Sequence, residues 1–259
     1  MKPITLSLLG ILGLSAGLCA QSAAAPDFSG VYQPINPFGR AFGNRGPAPA
    51  AGPRNGPPPR PTISAPISDG RDGRRPDEPS LTPDYLAKWE AMRKSRMAGS
   101  SEYDYTEQCL PPGMPAMMSM AYGMEVLQTK DKITFFSELN DALRRVYLDG
   151  RKPSQKVLDD PTYAGYSTGH WEGDTLVVDT VAIRGDKSFI EGFTPHSDEM
   201  TVHERIRLTS PGMLEDQITV TDPKALTKPW QTTKTYRKMA KGQDELREFA
   251  CAEGFGDVK

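Results

Sequence analysis

Histidine and cysteine are scarce here, three of each in 259 residues. The cysteines have no C-x-x-C spacing and no flanking basic cluster, which argues against a redox pair. Surplus charge is also missing: 31 basic side chains stand against 33 acidic ones, for a formal charge of −2. Neither a nucleic acid nor an anionic membrane surface is the expected partner of so balanced a chain. Basic residues do gather between Arg40 and Arg75, but proline and glycine dilute them and aromatics to stack on bases are almost absent. After the first 25 residues or so, no run is apolar enough to cross a membrane, so stable insertion is not expected. A phosphate-cradling glycine loop, a G-x-S-x-G elbow and a cysteine nucleophile with a base partner are all lacking. No cofactor is implied, and no motif names a reaction.

What is present begins with a leader. Lys2 precedes an apolar run from Ile4 to Leu18, and small residues then cluster through Ala20 and Ser22 to Ala25. That layout predicts a cleavable secretory signal over residues 1–25 and a periplasmic or secreted protein. Leu18 before Cys19 argues against lipoprotein processing, which wants a small side chain there. Cleavage removes Cys19 and leaves Cys109 and Cys251, which an oxidising compartment most simply joins in a disulfide.

Residues 26–33 predict a first short strand. Residues 34–80 then hold twelve of the 24 prolines and seven glycines, with few large apolar side chains. Such a stretch buries too little surface to offset its ordering entropy and is expected to be disordered. Thr82-Pro83 predicts a helix start, and Leu86, Trp89 and Met92 share one face of a helix over residues 82–97.

From Cys109 onward short apolar runs alternate with turn residues. Strands are predicted at 124–129, 132–139, 142–148, 166–171, 174–183, 199–208, 214–221, 230–239 and 246–251. Lys130-Asp131, Glu172-Gly173 and Pro211-Gly212 mark tight turns between them. Connections this short predict antiparallel pairing. The expectation for residues 81–259 is therefore one mainly all-β domain of eight or nine strands. It would be a lipocalin-like barrel or a sandwich, with the helix outside it or across one mouth.

Charge on apolar faces is the main chemical clue. In 199–208, Met200, Val202, Ile206 and Leu208 share a face with Glu204, while His203 points the other way. Asp216 intrudes likewise among Leu214, Ile218 and Val220, and Asp179 among Val177, Val181 and Ile183. Arg144 falls with Val146 and Leu148, Arg145 with Leu143 and Tyr147, and Lys234 between Trp230 and Tyr236. Charges facing a core must be paired, hydrated or neutral. One reading is a polar-anchored lumen for a small ligand, with Asp179, Arg144, Arg145, Tyr147, Trp171, Trp230 and Tyr236 as contacts. In that lumen Glu204 or Asp216 could also serve as general acid or base, with His196 near the mouth. The other reading is an ion-pair network that only closes the barrel.

The histidines are not expected to converge on a metal, since His203 faces solvent and His196 follows Pro195 in a loop. Five methionines between Met114 and Met124 suggest a lip over an apolar cavity rather than a copper site.

Residues Gly169 to Thr180 read G-H-W-E-G-D-T-L-V-V-D-T. This segment resembles a group of uncharacterised secreted bacterial proteins that share a W-E-G-D-T-L-V-V-D-T core. The resemblance extends over most of the chain after residue 100, including Cys109 to Pro115, Arg144 to Tyr147, Pro195 to Asp198 and Glu248 to Cys251. It implies a secreted β-rich domain in which the two cysteines are shared, and supplies no activity. His170 replaces a frequent Arg, Tyr166 a frequent His, and His203 a position that is often apolar.

The leading expectation is an exported barrel that binds a small, partly apolar molecule. A cofactor-independent isomerase, lyase or hydrolase in the same cavity is the alternative, and a structural or interaction protein the third.

Overall fold

The computed structural model describes residues 25–35, 77–104 and 107–251. All but the last residue of the expected signal, and most of the expected proline-rich segment, lie outside them. Nine strands form a closed barrel: β1 (Gly30–Ile35), β2 (Met124–Gln128), β3 (Lys132–Ser137), β4 (Ala142–Tyr147), β5 (Tyr166–Glu172), β6 (Thr175–Val181), β7 (Thr201–Ser210), β8 (Met213–Thr221) and β9 (Trp230–Lys238). Each pairs with its neighbour in sequence, and β1 closes the ring against β9. The first strand starts later than expected and carries Pro34 within it. The stretch over residues 246–251 is not a strand. It packs by side chains instead, with Phe249 edge-on to Tyr122 at 6.1 Å.

One pairing corrects the antiparallel expectation. Strands β4 and β5 run parallel, in register only at Val146 opposite Ser167 and Tyr147 opposite Thr168. The connection over residues 148–165, with the short helix α2 (Gln155–Asp159), is long enough for the crossover that parallel strands need. A ring of nine strands cannot alternate in direction all the way round, so one parallel neighbour is forced by the odd number.

Helix α1 (Pro83–Met97) starts where the sequence places it, with Pro83 in its first turn and Trp89 and Met92 buried. Thr82 does not cap it with its side chain. Its hydroxyl donates instead to the Lys224 carbonyl at 2.9 Å. Arg96 lies over the Phe193 ring, 3.3 Å from its centroid, and Thr82 N–H donates to the Ala225 carbonyl. The helix thus sits on the loops that leave β6 and β8, at one mouth. Below it, Met114, Met117 and Met118 are buried in the core cluster rather than forming a lip. Phe28 fills the opposite mouth, fully buried, with Trp171 against its ring at 5.1 Å. Cys109 and Cys251 form the expected disulfide, with Cα atoms 5.6 Å apart. Among the described residues no helix is long and apolar enough to cross a membrane.

Candidate functional site

Inside the barrel the alternation of β4 to β9 turns one polar side chain inward from each strand. These are Arg144, Ser167, Thr180, Glu204, Asp216 and Lys234, all buried. Arg144 grips Glu204 with both terminal nitrogens; Nη1 donates to Oε1 at 2.8 Å. Its Nε donates to Ser167 Oγ at 3.1 Å and Nη2 to Thr180 Oγ1 at 3.0 Å. A bidentate pair with two further donors used, four of the five in all, meets the conditions under which a buried ion pair is tolerated. Lys234 leans to the mouth and donates to Glu191 at 2.8 Å.

Asp216 differs. It stands opposite Lys234 in register and is fully buried beside Glu204, and no other described residue comes within hydrogen-bonding geometry of either carboxyl oxygen. Burial, and then the charge of Glu204, push its carboxyl well above the usual carboxylate range, while Arg144 and Lys234 pull less strongly the other way. Folding favours the neutral, protonated form of Asp216. Burial, with Asp216 next in effect, also raises the Tyr236 phenol, and its hydroxyl donates to the Met118 carbonyl.

The structure brings together Arg144, Glu204, Asp216 and Tyr236 from the expected set and sends others elsewhere. Asp179 is 62% exposed and bonded to His203 at 2.8 Å, because Leu176, Val178 and Thr180 are the lumen face of β6. Arg145 is exposed and Tyr147 only partly covered, both on the outer face of β4. His196 is not at an open mouth. It is buried, with Nδ1 on the Ser197 carbonyl and Nε2 against Ser188 Oγ, each at 2.8 Å. Since a carbonyl only accepts, Nδ1 carries the proton. Burial lowers the pKa of this imidazole, so the neutral ring is the folded form. Trp171 and Trp230 pack beside the core at its margins, and the Trp230 indole donates to the Asp77 carbonyl at 2.7 Å. Sequence reasoning missed Ser167, Thr180 and Glu191. Thr180 became legible only once Asp179 was placed outside, and Glu191 sits in a loop with no periodic signal.

The displaced pair, Arg145 and Tyr147, lies on a cleft of about 300 Å³ at the β4–β5 seam. The seam holds few ladder bonds, so the outer wall parts there. Gly113, Tyr163, Gly165 and Tyr166 form the far side, while buried Met117 and Ala142 reach the cleft from the core. Met114 N–H donates to the Tyr163 carbonyl at 2.9 Å and stitches the two lining segments together. The Tyr147 and Tyr166 rings lean on one another at 5.1 Å. Arg151 covers Tyr147 at 4.3 Å from its centroid, and Arg184 covers Tyr163 at 5.1 Å. Asp149 and Asp186 neutralise those two arginines. Arg145 has no ion pair or hydrogen bond among the described residues.

No protein-family model matches the chain, and no curated protein matches it. Among solved structures it is similar to the wild-type fluorescent protein UnaG, at 15% identity and a TM-score of 0.27 over 45% of this chain and 72% of that one. A single-substitution variant of UnaG gives 13% identity and a TM-score of 0.29, over 54% and 88%. Likeness this distant carries no argument about a ligand. The barrel rests on its own strand register.

Proposed function

We propose that this is an exported β-barrel that binds a small, partly apolar molecule, and that the molecule sits in the cleft at the β4–β5 seam. The observation that carries the reading is the cleft itself, which joins core-facing Met117 and Ala142 to an exposed Arg145 that has no ion pair among the described residues. Concave sites of this size, mostly apolar with a few convergent polar groups, are where small ligands bind. Inside the barrel, by contrast, Arg144 and Glu204 spend their hydrogen bonds on each other and on Ser167 and Thr180. Export is supported by the leader pattern at residues 1–25 and by the disulfide, and the W-E-G-D-T-L-V-V-D-T segment, folded as the β5–β6 hairpin, supports kinship with secreted proteins that share it.

The test is a fragment screen on the mature protein, read by amide NMR. Binders are expected to move resonances of residues 141–147 and 162–166, and Tyr147→Ala to weaken them by about tenfold, the effect of about 1.4 kcal/mol. Shifts confined to other surfaces, or none from the whole library, would overturn the site.

A further inference from the structure

Four side chains line one wall of the cleft: Leu143, Arg145 and Tyr147 on the outer face of β4, and Asp141 in the turn that leads into it. Alternation puts Leu143, Arg145 and Tyr147 on one side of the strand, and Asp141, with φ +47 just before it, lines the same cleft, so an acid stands at one end with an apolar side chain between it and the base. Asp141 and Arg145 are separated by at most roughly 13 Å of extended backbone. Neither has an ion pair or hydrogen bond among the described residues, and both are exposed. Nearby Arg151 and Arg184 add little field, because each is matched by its own aspartate. The positive end of the cleft is therefore Arg145 alone.

We propose that this cleft, taken as the binding site argued above, selects a small aromatic acid: its carboxylate meets Arg145, its ring lies among the tyrosines, and a hydrogen-bond donor at its far end meets Asp141. Each part follows from a lining group. A guanidinium with no partner is the group best suited to a planar carboxylate, through two parallel N–H···O bonds. Tyr147, Tyr163 and Tyr166 line the cleft, and the ring surface that Arg151 and Arg184 leave uncovered suits another ring. The volume of about 300 Å³ is at the small end of ligand sites, which disfavours a long acyl chain. A polyanion such as a nucleotide would bring negative charge against Asp141, and a wholly neutral ligand would leave Arg145 unanswered.

Three probes test it on the intact mature protein: para-hydroxyphenylacetate, its methyl ester, and phenylacetate, each titrated by NMR. The free acid is expected to bind about tenfold more tightly than its ester, the return of a charge-assisted pair. It should also bind more tightly than phenylacetate. Arg145→Gln should bring the acid-to-ester ratio close to one, and Asp141→Asn should narrow the preference for the hydroxyl. Both residues are exposed, so these variants are expected to fold, and unchanged amide spectra away from the cleft check this. Equal affinity for acid and ester at residues 141–147 would overturn the ligand class while leaving the cleft as a binding site. The class also falls if these probes are silent where other fragments bind in the cleft. Silence from the probes and the fragment library together overturns both.

Discussion

Burial is the largest influence on the charge of His196 and of Asp216, and the two respond to pH in opposite senses. His196 has its pKa lowered by folding, so the stability it supports is present above the ordinary histidine pKa and is lost as pH falls through that range. Asp216 has its pKa raised. The folded state then binds a proton that the unfolded state has released. Its contribution is present in full below the ordinary aspartate pKa and is lost as pH rises towards the folded value. At neutral pH Asp216 is therefore a cost. Asp216→Asn keeps the shape and removes the ionisation. It should stabilise the barrel by about 1–3 kcal/mol at pH 7, because the amide needs no proton uptake and each unit of upward pKa shift costs about 1.4 kcal/mol there. The gain should vanish near pH 3, and denaturant melts at the two pH values measure it. A variant less stable than its parent at pH 7 would show Asp216 ionised and paired.

At the scale of elements, the seam depends on how closely the chain enters β5. Gly165 has φ +64, and a Cβ there would meet the Val181 carbonyl oxygen at 2.7 Å and Ile183 Cγ1 at 2.6 Å. Gly150 has φ +75 with nothing within 4 Å. Gly150→Ala should cost about 1 kcal/mol, the left-handed backbone penalty alone. Gly165→Ala should cost about 2–4 kcal/mol, since backbone and β-branched neighbours must also give way. Equal losses would mean that the seam is not tightly set.

The same strands show how far the sequence could be read. On β7 and β8 one face is apolar and the other polar, so Glu204 and Asp216 were legible as inward-facing. On β6 Val177 is buried as deeply as its neighbours Leu176 and Val178, so alternation carried no direction and Asp179 was placed on the wrong face. On β4 two arginines stand side by side, and only the pleat decides that Arg144 enters the core and Arg145 does not. Helix α1 was legible from its proline and its Trp89–Met92 stripe. His196 was not, because a loop has no period from which burial can be read. The cleft was invisible because it arises between a strand end and two loops that are distant in sequence.

On the scale of the whole molecule, an odd strand count and one disulfide shape the barrel. Nine strands force a parallel neighbour, and the wall parts where that neighbour falls. The disulfide spans 142 positions and encloses β2 through β9 in one covalent loop, leaving β1 outside. A closure of that length is worth about 4–5 kcal/mol in the chain-entropy account. Both cysteines flank the strands rather than joining two of them, so the bond constrains the loop as a whole.

Strand β1 is thus the keystone and also the piece least bound by covalent connection. It hydrogen-bonds on both sides, to β2 and β9, while the disulfide loop holds all the other strands without it. In the intact chain residues 36–76 are the covalent leash between β1 and the rest of the barrel, so ring closure is an intramolecular event. Cutting that leash turns ring closure into an ordinary bimolecular association. A peptide of residues 26–35, carrying fully buried Phe28 and Tyr32, should reconstitute the barrel with a fragment of residues 77–259. The fragment's melting temperature should climb with peptide concentration and saturate, whereas a melt indifferent to the peptide would mean that eight strands already close without it.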